Sequence, residues 1–128
     1  LILGKEREFL TWFYTNYTVV QSSIDDTTIA EYIRTFASVD GIRGAFGVYR
    51  SVFTSVHQTE TLTKETLKTP VLGLGGDKSI GDKVQAMLSK VFEICKGGAV
   101  KDCGHFIPDE QPEYLIESIF KFLDAIKS

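Results

Sequence analysis

The run from Val100 to Pro112 places a histidine, His105, just beyond a short apolar stretch and just before a helix opened by Pro112. A side chain at that point is tethered through its backbone on the strand side and left open on the other. That is what a general base requires, an imidazole fixed in space yet within reach of a proton donor such as water. Gly104, with no Cβ, lets the chain turn tightly before the ring, and Phe106 offers an apolar wall after it. The other histidine, His57, stands among Gln58, Thr59 and Glu60 and reads as a solvated residue at a helix end.

Other chemistry-bearing patterns are weaker. Gly73, Gly75 and Gly76 precede Lys78 and Ser79, but a phosphate loop needs glycine directly before its lysine, where Asp77 would repel phosphate. A dinucleotide fingerprint would need glycine at Lys78. Cys95 and Cys103 form no CxxC pair and, with His105, no clustered ligand set, so no metal or other cofactor is expected. Both thiols read as buried and reduced, which suits a cytoplasmic protein.

These residues must be positioned by a chain of 128 residues, 43% apolar, enough for one packed domain. Net charge is −3 with both signs interspersed, leaving no basic stripe to neutralise a run of phosphates, so nucleic acid is excluded as a partner. No apolar run approaches the roughly 20 residues of a membrane span, and the opening from Leu1 to Lys5 is too short for a signal peptide.

Apolar spacing predicts a helix over 5–17 through Phe9, Leu10, Phe13 and Tyr17, and a second through Ile29, Tyr32, Ile33 and Phe36, with Asp25 and Asp26 as N-cap candidates. A third, long helix is expected over 40–57, carrying Ile42, Ala45, Phe46, Tyr49, Val52, Phe53 and Val56 on one face, despite Gly44 and Gly47 inside it. After a polar stretch over 59–69, Val71 to Gly76 reads as a buried strand and Val84 to Phe92 as a helix. Gly98 to Cys103 reads as a second strand, and Leu115 to Leu123 as a final amphipathic helix. Strand, helix, strand, helix implies a parallel sheet, since parallel neighbours need a crossover. Two strands alone would leave long unpaired edges, so further strands are expected upstream of Leu1.

The sequence resembles the C-terminal half of an α/β-hydrolase of the epoxide hydrolase and haloalkane dehalogenase type. Three stretches carry the likeness: Gly4 to Leu10 with Phe13; Glu31 to Arg34 with Gly41 to Arg43 and Phe46 to Arg50; and Pro70 to Gly81 together with Asp102 to Pro112. The resemblance implies a partial α/β-hydrolase fold, with residues 1–66 as part of a helical cap and 67–128 as the last two parallel strands and helices of the core.

It also implies roles. An aspartate nucleophile outside this chain would attack carbon to form an alkyl-enzyme ester, and His105 would activate the water that hydrolyses it. Tyr49 matches the cap tyrosine that binds and protonates the epoxide oxygen, its rival reading being a core tyrosine with a satisfied hydroxyl. Trp12, Tyr14 and Tyr17 are candidates for a second cap donor, or simply helix-packing residues. Asp77 matches a loop in which the family often places the acid that orients the histidine, though one residue short of the family's spacing from the strand; some relatives carry that acid after an earlier strand, outside this chain, and a further rival reading is a helix-capping aspartate near Ser79. Phe106, with Tyr49, would contact substrate.

The expected activity is opening of an epoxide to a diol on a small apolar substrate, with no turnover by these 128 residues alone. The alternatives are a haloalkane or haloacetate dehalogenase, sharing His105 and Tyr49, and a non-catalytic relative that keeps the scaffold for partner binding. The expected partner is the N-terminal core half of the same protein, with a homo-oligomer also compatible.

Overall fold

The computed structural model describes residues 2–62 and 65–127, which cluster into two units. One runs up to Asn16 and resumes from Ile24 through Leu62; the other joins Tyr17–Ser23 to the described residues from Glu65 onward.

The first unit is helical. Helix α1 (Glu6–Tyr17) and α2 (Asp26–Phe36) follow the expected spacing, and Asp25 caps α2 by accepting the Thr28 N–H at 2.8 Å. Their apolar faces bury Leu10 and Ile29, and the Phe9 ring stacks on Phe36 with centroids 5.9 Å apart. Ser38 then caps α3 (Val39–Ala45) through the Gly41 N–H.

The long helix expected over 40–57 is instead three: α3, α4 (Gly47–Arg50) and α5 (Val52–Leu62). The helix loosens at Phe46 and Ser51, which stay in the right-handed region but with ψ angles of −1° and 0°. Gly44 and Gly47 lower the helical preference around the first break, and the Ser51 hydroxyl competes for the Val48 carbonyl at the second. Arg50 bridges the first break by donating from Nη2 to the Arg43 carbonyl at 2.7 Å. Tyr49 is 69% exposed and Phe53 86%, so the apolar stripe read from the sequence packs only at its start, where Phe46 meets Phe9, and faces outward from Tyr49 onward.

In the second unit, β1 (Val71–Gly76) and β2 (Cys95–Val100) form a parallel pair in register from Val71 opposite Cys95 to Gly76 opposite Val100. Helix α6 (Lys83–Leu88) lies in the crossover, then α7 (Ile107–Glu110) and α8 (Pro112–Lys127) complete the order. Two boundaries differ from expectation. The second strand starts three residues earlier than Gly98 and ends at Val100, because Asp102 adopts a left-handed φ of +52° that turns the chain out of the sheet. Helix α6 stops at Leu88, and Phe92 instead bridges Leu67 as an extension of the parallel ladder. Val100 and Cys103 are the most deeply buried apolar side chains.

Candidate active site

Because β1 and β2 are parallel, the loops that leave them emerge at the same sheet edge, where open α/β sheets bind ligands. The two loops are bonded together. Asp77 donates its backbone N–H to the Val100 carbonyl at 2.9 Å, Lys78 donates to the Cys103 carbonyl at 3.0 Å, and the Asp77 carboxylate accepts the Cys103 N–H at 3.1 Å. Close approach explains two glycines here: a Cβ on Gly76 would run into the Gly104 carbonyl, and one on Gly104 into the Tyr17 carbonyl and, at 2.9 Å, Glu110 Oε1.

His105 is held by its neighbours rather than by its own ring. Its N–H donates to the Tyr17 carbonyl at 2.8 Å. The N–H of Gly104 goes to Glu110 Oε2 at 3.0 Å and that of Phe106 to Glu110 Oε1 at 3.1 Å. Four consecutive amides, 103 to 106, therefore each have a named acceptor. The imidazole is exposed, with the Phe106 ring edge-on at 5.0 Å and the Tyr17 ring at 6.1 Å. A hollow of about 210 Å³ lies beside it, lined by Leu74, Ser79, Ile80, Val84 and Ile107 among others.

Asp77 and His105 thus share an edge, but among the described residues no hydrogen bond joins the Asp77 carboxylate to the imidazole. Its oxygens take the Cys103 N–H and the Lys78 ammonium, the latter at 2.9 Å. The Lys78 contact first, and the Cys103 N–H second, hold its pKa below the usual carboxylate range. The helix-cap alternative does not describe it either, since its bond crosses to the other loop. Tyr49 lies in the helical unit with its ring 6.0 Å from Phe46. The Phe106 ring stands edge-on against the His105 ring.

Glu110 was not singled out by the sequence. It is 6% exposed, and its carboxylate collects the N–H groups of Val19 (2.6 Å) and Val20 (3.1 Å) besides those of Gly104 and Phe106. Burial alone would raise its pKa, but these four donors outweigh burial and leave it lowered, so the buried group is an anion at neutral pH. The one sequence signal is its place between Pro108 and Pro112, beside the histidine loop. Cys103 is fully buried, and desolvation, with the charges of Glu110 and Asp77, pushes its thiol up to about 11, an unreactive value. Among the described residues no group of three or more His, Cys, Asp or Glu side chains could hold a metal ion, and no helix is long and apolar enough to cross a membrane.

No family model matches the chain. It is 36% identical over 123 residues to a soluble epoxide hydrolase of Corynebacterium sp. (strain C12), covering 94% of this chain and 41% of the relative. Among solved structures, the epoxide hydrolase CorEH superposes with a TM-score of 0.88 at 28% identity, over 98% of this chain and 45% of that one. A Nostoc sp. protein assigned to the α/β-hydrolases superposes at 0.87 and 28%, over 96% and 43%. This chain carries part of the α/β-hydrolase fold. It spans about two-fifths of the length of the curated relative it matches. Within an α/β-hydrolase, the sheet edge that carries Asp77 and His105 is the edge where catalytic loops gather.

Proposed function

We propose that this chain belongs to an epoxide hydrolase, to which it supplies the water-activating histidine, His105, and a helical lid bearing Tyr49. The observation that carries the reading is His105 itself: an exposed imidazole on a loop whose amides from Cys103 to Phe106 are all bonded, at the strand-end edge beside a hollow. Similarity to a soluble epoxide hydrolase over nearly the whole chain supports the same substrate class.

In the first step a carboxylate outside these 128 residues attacks an epoxide carbon; the carbon–oxygen bond breaks, and the alkoxide takes the Tyr49 phenol proton. A phenol suits this role because its ordinary pKa of about 10 keeps it protonated at neutral pH. Its exposure leaves the hydroxyl available to a ligand. In the second step His105 takes a proton from water and hydroxide adds to the ester carbonyl; the acyl–oxygen bond breaks, the departing alkoxide takes the proton of the new carboxylic acid and leaves as the diol, and the imidazolium proton returns through water to the Tyr49 phenolate. Asp77 contributes by fixing the loop two residues before His105, and as acid toward the imidazole it would exchange one of its present partners for the ring N–H.

The test is a single turnover of the longer protein carrying this chain, in ¹⁸O-labelled water. The label is expected in the enzyme's carboxylate and not in the diol, and His105→Ala should stop at the ester adduct, losing about 10²–10⁴-fold in its hydrolysis. Label in the first-turnover diol would exclude the ester route, and halide release in place of diol would reassign the substrate. The 128-residue chain by itself is expected to show no turnover.

A further inference from the structure

We infer that Glu110 is the positioning residue for His105, one buried carboxylate that grips the backbone on both sides of the histidine and ties it to the 17–20 segment. The inference rests on His105 being the water-activating base and adds the device that holds it in place.

Three observations converge. The first is stereochemical: the two oxygens divide the work, Oε2 taking Gly104 and Oε1 taking Phe106, so the peptide units flanking His105 are pinned by a single group. The second is the reach of the same carboxylate to Val19 and Val20, about ninety residues away in sequence, next to Tyr17, whose carbonyl takes the His105 N–H. The residue on one side of the base, the base itself and the residue on the other side are thereby fixed to one short segment. The third is the lack of a cationic partner. No lysine, arginine or histidine pairs with Glu110 among the described ion pairs, and its charge is met by backbone donors alone. A glutamate serving only to stabilise the fold could be replaced by an apolar side chain of similar volume, since burying a charge is costly. A carboxylate that must gather four N–H groups from two segments cannot, because only an ionised acceptor with two oxygens satisfies them all.

The chemical consequence falls on one half-reaction. Attack on the epoxide does not use His105, whereas ester hydrolysis needs the imidazole placed within a water's length of the ester, and a misplacement of about 1 Å can cost about 10²-fold. Glu110→Gln keeps the shape but presents an NH₂ group to N–H donors, so it breaks part of the clamp with little change in volume.

The experiment uses the longer protein with a styrene oxide probe and follows the two half-reactions separately. Glu110→Gln should leave ester formation within about twofold and slow ester hydrolysis at least tenfold, so that the covalent adduct accumulates. Amide hydrogen exchange at Gly104 and Phe106 should accelerate together. Equal loss in both half-reactions, an unchanged hydrolysis rate, or unaltered protection of those two amides would overturn the inference. Should the unsubstituted protein form no adduct, the epoxide hydrolase reading fails by itself, and Glu110 is then judged by the ring contacts of His105. Loss of its contacts to Tyr17 and Phe106 in Glu110→Gln, measured by nuclear Overhauser effects, upholds the clamp; their persistence refutes it. Should Glu110→Gln not fold, the unsubstituted protein decides: the amide signals of Val19, Val20, Gly104 and Phe106 must shift with one common midpoint on acidification, and separate midpoints refute a shared carboxylate.

Discussion

Asp77 Oδ1 accepts the Cys103 N–H at 3.1 Å, so the loop after the first strand holds the loop after the second two residues ahead of His105. The carboxylate is therefore linked to the histidine through the backbone of the second loop. Asp77→Asn retains an oxygen for that N–H and loses only a solvent-screened pair with Lys78, so stability should change little. Ester hydrolysis should slow, but less than the roughly 10²-fold expected for removal of a general base. Unchanged single-turnover kinetics would take Asp77 out of the site.

Tyr49→Phe removes one hydroxyl from an exposed ring in a four-residue helix, leaving packing nearly untouched. The proposed loss is in epoxide opening, by about 10²-fold, the usual cost of deleting one donor to a developing oxyanion. Thermal midpoint is expected to stay within about 1 °C. A rate equal to the parent would assign proton donation to another side chain.

Gly76→Ala and Gly104→Ala test the close approach at the strand ends. Each new Cβ meets backbone rather than a movable side-chain tip. Destabilisation of at least the ~1–3 kcal/mol of overpacking is expected for either, read as a fall in the urea midpoint. Gly44→Ala is the control: a Cβ there meets nothing within 4 Å, and with glycine costing about 1 kcal/mol in a helix it should be neutral or stabilising.

Acid should unfold the second unit through Glu110. Its folded pKa lies below the ordinary glutamate range, so the stability it adds is fully present above about pH 5 and drains away as pH falls through the lower folded value. Urea midpoints measured from pH 7 to pH 3 should fall for the parent and flatten for Glu110→Gln. Parallel curves would assign the acid sensitivity to other carboxylates.

The thiols should separate cleanly. Cys103 is wholly enclosed with its pKa raised to about 11, whereas Cys95 is partly exposed. Iodoacetamide at pH 8 is expected to modify Cys95 at least tenfold faster in the folded protein, with the two rates converging in urea.

What was legible in the sequence was whatever repeated locally. The spacing of Phe9, Leu10 and Phe13 and the Asp25 cap gave α1 and α2, the glycine-rich apolar run gave β1, and strand, turn and proline placed His105 on the loop that follows the second strand. The first half of β2 was hidden because Cys95 to Gly98 shows no alternation and two of its residues are glycines with φ above +120°. The breaks at Phe46 and Ser51 were hidden for the opposite reason: apolar spacing persists across them, and only backbone angles record the interruption. Glu110 lay beyond reach altogether. A glutamate between prolines reads as solvent-facing, and what buries it is a pair of amides supplied from residues 19 and 20.

The excursion of Tyr17–Ser23 into the second unit has a bearing on how such proteins diversify. Grafting new helices from one relative to another cannot be done with a single crossover, because the short stretch that receives the His105 amide is threaded between α1 and α2. Shuffling that spares this strip exchanges the helical unit alone; shuffling that carries it off exchanges the histidine's anchorage as well.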